Sequence, residues 1–376
     1  MRYLLFLWFI CFLVSCNHIN ETQKTTTERN NTFDTIFLTN AKYFSILQNT
    51  NSYKLSVTNS FKGNDNLYEY FLSKDSSEAP PNYIPIPVKK VICLSATHIG
   101  FIEALNKTEY IKGISGKQYI YHSEILKKIE TENIIDIGSE GHFDYEKIVS
   151  LKPDVVFAFG VDQKSLTYLS KLQQLGIKVV LVGEYMENTP LGKAEWIKFF
   201  SCFFDCLEDA NIFFDNVKNQ YISLKDSINN IQHKIKPSII NGLPYNGTWY
   251  VPGGNSFMAC LMKDAGADYS WVKNTETSGT PFPLEQIYKN ATQFDVWLNP
   301  DMANSLAEVK QFEPRATSFK AFKNKYVFNN TCRTTPLGGN DYWESGTVHP
   351  EIILKDLIHI FYPTINDSLY YFKKLN

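Results

Sequence analysis

Two segments of this chain, 144–159 and 283–298, repeat one pattern of residues. In each copy a short helical stretch carries a glutamate, Glu146 or Glu285, and an aspartate with an apolar run follows it. Pro153 interrupts the first copy, so the pattern predicts a short helix followed by a buried strand. A unit used twice indicates two similar lobes, each presenting one carboxylate. This favours a protein that docks symmetrically on a partner.

The order of the predicted elements supports two lobes. Residues 33–88 alternate apolar and polar positions between turn clusters, which predicts a small β-rich N-terminal extension of antiparallel strands. Residues 89–206 alternate short apolar strands with helices, as parallel sheets do. Residues 207–236 contain a helical run that would be roughly 40 Å long, and residues 237–376 resume the strand–helix alternation. The predicted fold class is therefore α/β, with two lobes joined by a single long helix.

Residues 1–16 have the features of a lipoprotein signal peptide. The apolar run 4–14 is too short to span a bilayer, and it follows the basic residue Arg2. Leu13-Val14-Ser15-Cys16 resembles a bacterial lipobox, in which Cys16 becomes the lipid-modified first residue; an ordinary cleaved signal is the alternative. The polar residues 17–32 predict a flexible tether. We therefore expect a periplasmic protein anchored by its lipid to the inner or the outer membrane.

Charge, cysteine content and missing motifs argue against several function classes. The net charge of −2 gives no reason to expect nucleic acid as a partner. Five of the seven cysteines lie beyond the signal peptide, without C-x-x-C spacing, so we predict no disulfide framework. The sequence has no P-loop, dinucleotide fingerprint, zinc-protease motif or nucleophile elbow. We assign no catalytic residue and expect a protein that is not an enzyme.

Several segments, taken in order, carry a family resemblance. Val91–His98, Glu146–Val156 and Leu175–Val180 resemble the cobalamin and ferric-siderophore binding proteins of ABC importers. The segment Pro190–Phe199 is similar to the iron-complex branch of Bacteroidetes-type lipoproteins. The likeness begins near Lys89 and continues to the C-terminus, so it leaves out the β-rich extension.

The resemblance implies two Rossmann-like lobes joined by one long helix, with a ligand cleft between the lobes. It implies a monomer that captures a small-molecule metal chelate, an iron complex such as a ferric siderophore, for the ABC permease dimer of the inner membrane. Glu146 and Glu285 would lie on the outer rims of the lobes and pair with permease arginines. Two carboxylates at a fixed separation set orientation and encounter rate more than affinity.

Candidate ligand contacts follow the predicted strands, because open α/β sheets bind ligands beyond the carboxyl ends of their strands. The first lobe offers Thr97, His98, Tyr119, Tyr121, His142 and Phe159. The second lobe offers Trp249, Tyr250, Arg333, Asp341, Tyr342 and Trp343. These aromatic residues suit a large, flat, partly apolar ligand, and Arg333 could neutralise an anionic one. The scarcity of other basic residues argues against a strongly anionic tris-catecholate.

The same residues allow other interpretations. Cobalamin or haem is the alternative ligand within the class, with His98 and Tyr119 as ligands of a haem iron. His98 and His142, joined by His122 and Glu344, are the residues that could hold a bare metal ion, although we assign neither a metal site nor a cofactor. A secreted α/β hydrolase or chelate-processing reductase that uses the same cleft is the alternative of another class.

Overall fold

A five-stranded parallel sheet forms the centre of the first lobe. A computed structural model describes residues 32–376 except 59, 62, 64, 78, 140–141, 161–162, 230–234 and 364–367, so the signal peptide, Cys16 and nearly all of the tether lie outside the described residues. The strands are β6 Val91–Cys93, β7 Ile111–Ile114, β8 Ile135–Asp136, β9 Val155–Ala158 and β10 Val179–Leu181. Strands β6, β9 and β10 are buried along their whole length, as expected where helices cover both faces of a sheet.

The strand order of this sheet is β10-β9-β6-β7-β8. The chain adds strands on one side of β6 and then returns to add strands on its other side, which creates a switch point between the carboxyl ends of β6 and β9. The accompanying helices are α1 Ala96–Ala104, α2 Ser123–Glu130, α3 Tyr145–Leu151, α4 Gln163–Gln174, α5 Pro190–Ala194 and α6 Ile197–Phe204. Ser95 caps α1 directly after β6, because its side chain accepts a hydrogen bond from the Thr97 N–H.

The N-terminal extension is a five-stranded sheet of its own, in the order β1 to β5. Its strands are β1 Asp34–Ile36, β2 Phe44–Gln48, β3 Ser52–Val57, β4 Tyr68–Ser73 and β5 Ile84–Pro85. Strands β1 to β4 pair antiparallel, as predicted, whereas β5 pairs parallel with β4. The inner face packs against α5 and α6: the rings of Phe44 and Trp196 lie 4.6 Å apart. The extension therefore shares the hydrophobic core of the first lobe.

The long helix α7 spans Leu207–Asn229. It is about 35 Å long, and the predicted continuation toward 235 crosses residues 230–234, which lie outside the described residues. Phe214 and Val217 on its first half are buried in the core of the first lobe, and Tyr221 on its second half is buried in the core of the second. The helix thus connects the two cores, as predicted.

The second lobe is built on a smaller sheet in the order β11-β15-β16-β17, with β17 antiparallel to β16. Strands β12, β13 and β14 form a separate antiparallel sheet. The strands of the lobe are β11 Ile239–Asn241, β12 Pro244–Tyr245, β13 Thr248–Pro252, β14 Gly279–Pro283, β15 Val296–Leu298, β16 Val327–Asn329 and β17 Lys373–Lys374. Its helices are α8 Phe257–Asp264, α9 Leu284–Lys289, α10 Leu306–Phe312, α11 Lys320–Lys323 and α12 Pro350–Phe361. Helix α12 packs along α7, which ties this lobe to the connecting helix.

The repeated sequence unit forms equivalent structures in the two lobes. Its helix is α3 in the first copy and α9 in the second, and the strand that follows is β9 or β15, each next to the first strand of its sheet. The Asp154 carboxylate accepts hydrogen bonds from the N–H groups of Lys89 and Lys90 at 2.7 and 2.9 Å. The Asp295 carboxylate accepts one from Ser238 at 2.9 Å. Each aspartate therefore fixes the chain at the entry to its lobe.

Two further features of the described residues bear on location and redox chemistry. None of their helices combines the length and the apolar character that crossing a membrane requires. The five cysteines among them are all free thiols.

Candidate functional site

A cavity of about 410 Å³ lies at the switch point of the first sheet. Its walls come from the segments that follow β6, β7 and β9, from the segment before α3, and from α4. The lining residues are Leu94, Ser95, Ala96, Thr97, Ser115, Tyr119, Ser139, Phe143, Phe159, Ser165, Tyr168, Leu169 and, from the second lobe, Trp343. Hydroxyl groups and aromatic rings dominate the described part of this surface, and none of its described lining residues is charged.

A buried carboxylate holds one of these hydroxyls in place. The Thr97 hydroxyl donates a hydrogen bond to Glu184 Oε1 at 2.7 Å and lies 2.9 Å from the Ser95 hydroxyl. Glu184 is buried, and burial raises the pKa of its carboxyl above the usual value, against the opposing effect of the nearby Lys193 ammonium. The orientation of Thr97 at the cavity floor therefore depends on a residue that does not line the cavity.

A second cavity, of about 660 Å³, lies beyond the carboxyl ends of β15 and β16 in the second lobe. Its lining residues are Asn299, Asp301, Met302, Asn304, Asn329, Asn330, Thr331, Thr334, Thr335, Pro336, Leu337, Gly338, Asn340 and Trp343. Side-chain amides and hydroxyls dominate here. Of the described residues that line this cavity, Asp301 is the one that is charged.

Trp343 makes the two cavities parts of one cleft, because it lines both of them. Its side chain is 53% exposed, and its ring packs edge-on against the buried Tyr342 at 4.7 Å. In this cleft, the indole ring of Trp343 therefore lies between a wall rich in hydroxyl groups and a wall rich in side-chain amides. Among the residues that the structure describes in this lining, none is a lysine or an arginine. These described residues can bind a large ligand through hydrogen bonds and ring contacts.

A third cavity, of about 720 Å³, also lies between the lobes and has a different chemistry. Thr334, Thr335 and Pro336 line both this cavity and the cleft, so this loop separates the two. Arg333 contributes its guanidinium here, but its Nε donates to Asp341 Oδ2 at 2.5 Å. In the largest of the three cavities, Arg333 and Asp341 therefore already pair with each other.

A carboxylate joins the lobes beside this third cavity. Glu344 of the second lobe accepts hydrogen bonds from the N–H groups of Tyr121 and His122 in the first lobe, at 2.8 and 2.9 Å. Burial raises the pKa of Glu344 to about 7. Gly100 allows the contact, since a Cβ on it would lie only 2.2 Å from the Glu344 carbonyl oxygen. The lobes are therefore in direct backbone contact at this point.

Four of the predicted ligand residues come together in the cleft, namely Thr97, Tyr119, Phe159 and Trp343. Three others, Tyr121, Arg333 and Asp341, lie instead around the third cavity. The Arg333 guanidinium lies over the rings of Tyr121 and Tyr370 at 5.0 and 4.3 Å. The predicted role of Arg333, neutralising a bound anion, loses its structural basis because the guanidinium pairs with Asp341 outside the cleft.

His98 does not reach the cleft. It is fully buried, with its ring near those of Phe157, Phe159 and Phe200. Burial lowers the pKa of His98 to about 3, so the imidazole is neutral. The interpretation of His98 as a ligand contact or a haem ligand is wrong, because its helix turns it into the aromatic core while Thr97 lines the cleft.

The bare-metal interpretation is not supported either. Within the described ranges, no three His, Cys, Asp or Glu residues are arranged to hold a metal ion. His142 is exposed, and the His122 Nε2 pairs with Glu103 Oε1 at 3.3 Å. Glu344 uses both carboxylate oxygens on backbone N–H groups. The four residues of that interpretation therefore have separate roles.

Four other predicted residues also lie away from the cleft lining. Trp249 is fully buried, and its Nε1 donates to the Asn241 carbonyl at 2.9 Å. Tyr342 is 3% exposed and packs beneath Trp343. Tyr250, next to Trp249 on β13, faces the opposite way and is 47% exposed, yet neither it nor His142 lines one of the three cavities. Position after a strand was not enough to identify these ligand contacts.

The two predicted docking glutamates have matching environments. Glu146 lies in the first turn of α3 and Glu285 in the first turn of α9, and both are exposed. Each helix leads, through an anchoring aspartate, into the strand that lies beside the first strand of its sheet. The structure thus presents the two carboxylates in the same way on both lobes, and their predicted role in docking stays a prediction.

Sequence reasoning missed the small polar residues of the cleft. Ser95 lies two residues after β6, and Ser115, Asn299 and Asn330 directly follow β7, β15 and β16. The signal was present, because these positions obey the strand-end rule that led to the aromatic candidates. Serine and asparagine are common in loops, so their position after a strand does not by itself distinguish a ligand contact from an ordinary loop residue.

The sequence has relatives. A family model described as periplasmic binding protein matches residues 91–331. An uncharacterized lipoprotein of Methanocaldococcus jannaschii is 30% identical over 314 residues, which is 78% of this chain and 72% of that protein. The family match leaves out the N-terminal extension.

Solved structures share the fold. A periplasmic heme-binding protein from Pseudomonas aeruginosa matches with a TM-score of 0.57 and 14% identity, covering 77% of this chain and 98% of that one. An ABC-type Fe3+-hydroxamate transport system structure from Saccharomonospora viridis matches with a TM-score of 0.55 and 17% identity, covering 82% and 99%. At such identities the likeness establishes the fold alone, and it confirms the predicted two-lobed α/β architecture.

Proposed function

The chain belongs to the periplasmic binding protein family, and on that premise we propose that it is the substrate-binding lipoprotein of an ABC importer for an iron complex. The observation that carries the proposal is the cleft in which Trp343 joins the cavities of the two lobes. A cleft between lobes, at the carboxyl ends of parallel strands, is where an α/β fold binds small molecules. The name of the archaeal relative, a lipoprotein, supports a lipid anchor at Cys16.

The chemistry of the cleft favours a neutral, oxygen-rich ferric chelate of the hydroxamate type. Three hydroxamates balance the charge of Fe³⁺, whereas three catecholates leave a trianion. The described lining residues offer hydroxyls, amides and aromatic rings, and none of them is a lysine or an arginine that could pair with a trianion as it is desolvated. The match to a Fe3+-hydroxamate transport structure agrees with this choice.

Tryptophan fluorescence tests the ligand directly. Trp343 lines the cleft, whereas Trp196, Trp249 and Trp297 are fully buried, so a bound ferric chelate should quench Trp343 most strongly. Ferrioxamine B, whose ferric trihydroxamate centre is neutral and whose one charge is a terminal ammonium away from the iron, is expected to quench the protein with saturation at one equivalent. Anionic ferric enterobactin should bind at least about tenfold more weakly, because its charge stays unpaired. The Trp343→Phe variant serves as the optical control.

The outcomes of this titration separate the candidate functions of the cleft. If only cyanocobalamin gives saturable quenching, the transported ligand is cobalamin, the alternative within the same class, and not an iron complex. A lack of response to every chelate would refute the proposal. Conversion of a chelate to a new product with turnover, rather than stoichiometric binding, would favour the enzyme that the sequence left as an alternative.

Haem is a second candidate ligand because of one residue, Tyr119. Its side chain is 60% exposed and lines the cleft on the same wall as Phe143 and Phe159. A tyrosine phenolate is a known axial ligand of haem iron, and flanking rings suit a porphyrin plane. Haemin belongs in the same titration, and Tyr119→Phe should abolish its charge-transfer absorption while leaving ferrioxamine B affinity within about twofold.

We also propose that Glu146 and Glu285 dock the loaded protein on the permease. Exposed carboxylates contribute little affinity singly, but two of them on one rigid body fix its orientation. The Glu146→Arg plus Glu285→Arg variant should bind ferrioxamine B like the wild type. It should lose most uptake of the chelate in cells where this chain is the sole carrier.

The matched control is Glu130→Arg plus Glu276→Arg, which reverses one exposed carboxylate in each lobe away from the repeated unit. It changes the net charge by the same amount. Unchanged uptake by the docking variant would remove the docking role, and equal loss in both variants would reduce it to a general charge effect.

A further inference from the structure

Tyr185 lies where the N-terminal extension meets the ligand cleft. It follows Glu184, the residue that holds the Thr97 hydroxyl. The Tyr185 hydroxyl is within hydrogen-bond distance of two carbonyl oxygens, that of Gly160 at 2.5 Å and that of Ser60 at 3.0 Å. Burial raises the pKa of this phenol, so it stays a neutral donor. One side chain thus contacts the extension and the segment after β9.

The segment after β9 forms part of the cleft wall. Gly160 directly follows Phe159, whose side chain lines the cleft. Through its backbone, Tyr185 is also continuous with Glu184 and therefore with Thr97 on the cleft floor. A displacement of Tyr185 would consequently shift Phe159 and Thr97, two residues that line the cleft, although Tyr185 itself lines neither of its cavities.

The extension reaches the same point with an aromatic side chain. Phe61 is buried at 8% exposure, and its ring packs next to Gly160: a Cβ on this glycine would lie 3.4 Å from Phe61 Cδ1. Ser60 packs against Gly183, immediately before Glu184. The short loop segment Ser60–Phe61 therefore braces the ends of β9 and β10 from outside the lobe.

The extension is itself firmly held by two buried carboxylates. Glu195 accepts hydrogen bonds from the N–H groups of Thr39, Asn40 and Ala41 at 2.7–3.1 Å. Glu187 accepts those of Lys42 and Tyr43 at 2.8 and 3.1 Å. Glu187 precedes α5, and Glu195 directly follows it. Five backbone N–H groups on two carboxylates fix the extension against the first lobe more rigidly than side-chain packing alone would.

We propose that the N-terminal extension is a positioning element of the ligand cleft, in which Ser60–Phe61 and Tyr185 hold Phe159 and Thr97 in their binding arrangement. The inference rests on the proposed function only in taking the cleft as the ligand site. It assigns the extension, which lies outside the family match, a role in affinity rather than in fold alone. A cleft whose walls are pre-set loses less entropy when its ligand binds.

The test uses two variants and a matched control in the full-length chain. Tyr185→Phe removes only the hydroxyl, and Phe61→Ala removes the brace. Tyr53→Phe is the control, because it removes another extension-to-lobe hydroxyl contact, to Asp205 Oδ1 at 3.3 Å. Asp205 directly follows α6, whose last residue, Phe204, stacks on Tyr110. Because Tyr110 immediately precedes β7, this control contact lies at the amino end of the sheet, away from the ligand cleft.

The expected result is a separation of affinity from folding. Tyr185→Phe should weaken ferrioxamine B binding about fivefold, and Phe61→Ala about tenfold or more, while Tyr53→Phe stays within about twofold. Melting temperatures of Tyr185→Phe and Tyr53→Phe should fall by similar amounts. If affinity follows melting temperature across all three variants, the extension is merely structural and the inference is overturned.

A second readout needs no ligand. Amide hydrogen exchange of the ligand-free protein should rise at residues 94–99 and 156–160 in Tyr185→Phe and Phe61→Ala, and not in Tyr53→Phe. Unchanged exchange in those segments refutes the positioning role even if ferrioxamine B binds the wild type. Raised exchange in a protein that binds no chelate supports the positioning role while the proposed function fails.

Discussion

Replacing Glu344 with glutamine tests whether this carboxylate controls how firmly the lobes stay together. In the wild type, its two oxygens accept the N–H groups of Tyr121 and His122 across the lobe boundary. Glutamine keeps the size of the side chain and one acceptor, but it presents an NH₂ group to the second N–H. The variant therefore keeps one of the two bonds and removes the ionisation.

The expected magnitude follows from the pKa. Burial, with the Glu103 and Asp341 carboxylates nearby, raises the pKa of Glu344 from 4.5 to about 7, against the lowering effect of the His122 ring. Between these two values the folded protein binds more protons than the unfolded chain, so rising pH lowers the free energy of unfolding. The full effect is about 3 kcal/mol, reached once the pH exceeds the folded-state pKa.

His122 acts in the same direction. A hydrogen bond to Glu103 raises the pKa of His122, and Glu344 contributes to that increase. A raised histidine pKa stabilises the fold at low pH, and this stabilisation disappears as pH rises through the folded-state value. Glu344→Gln weakens this contribution as well, so both groups make the variant less dependent on pH than the wild type.

Urea unfolding of the wild type and Glu344→Gln at about pH 5 and about pH 8 measures the difference. Other buried carboxyls with raised pKa values, such as Glu184 and Asp356, contribute equally to both proteins and cancel. The stability advantage of the wild type over the variant should shrink by about 3 kcal/mol between the two pH values. Parallel pH profiles would refute the reasoning, and Glu130→Gln, an exposed change on the neighbouring helix, should give such parallel profiles.

Two other predictions concern contacts that join parts of the molecule. Gly339→Ala would place a Cβ 1.9 Å from the Ile120 carbonyl oxygen, so the free energy of unfolding measured in urea should fall by about 2 kcal/mol or more. In the control Gly279→Ala, the new Cβ would lie 3.7 Å from the Tyr250 Cβ, and the free energy of unfolding should fall by less than about 1 kcal/mol. Glu195→Gln should loosen the extension, seen as faster hydrogen exchange at residues 39–41 with unchanged exchange in α7; equal protection in both proteins would contradict the anchoring role.

The fold could be predicted because its signals are local and periodic. Short apolar runs such as Val155–Ala158 alternate with helices, and this alternation forces a parallel sheet with covered faces. The stretch without Gly or Pro after Glu208 predicted α7 for the same reason. The parallel pairing of β5 with β4 was missed, because it depends on a long return of the chain rather than on local pattern.

The ligand site was harder to predict, because burial of aromatic residues depends on tertiary packing. Trp249 and Tyr342 follow the strand-end rule, yet each gains more from packing in a core than from lining a cleft. His98 differs from Thr97 by one position on a helix, or about 100° of rotation, and that rotation decides which of them meets a ligand. Sequence position alone does not give this rotation, since it depends on how α1 packs against α6.

The repeated unit has two carboxylates, and the structure separates their roles. Asp154 and Asp295 bond to the backbone at the entry to β6 and β11, so the fold explains why each copy needs an aspartate there. Glu146 and Glu285 have no comparable structural role, because an acidic residue in a first helical turn gains only about 0.3–1 kcal/mol from the helix dipole, and any acidic residue of that turn would supply it. The dipole explains an acid in each turn, but it does not explain why both lobes present one at the same place before the same strand. That correspondence is what a partner with two matching binding points would require, and it is the reason for predicting that docking depends on the exposed glutamates rather than on the aspartates, which bond to the backbone.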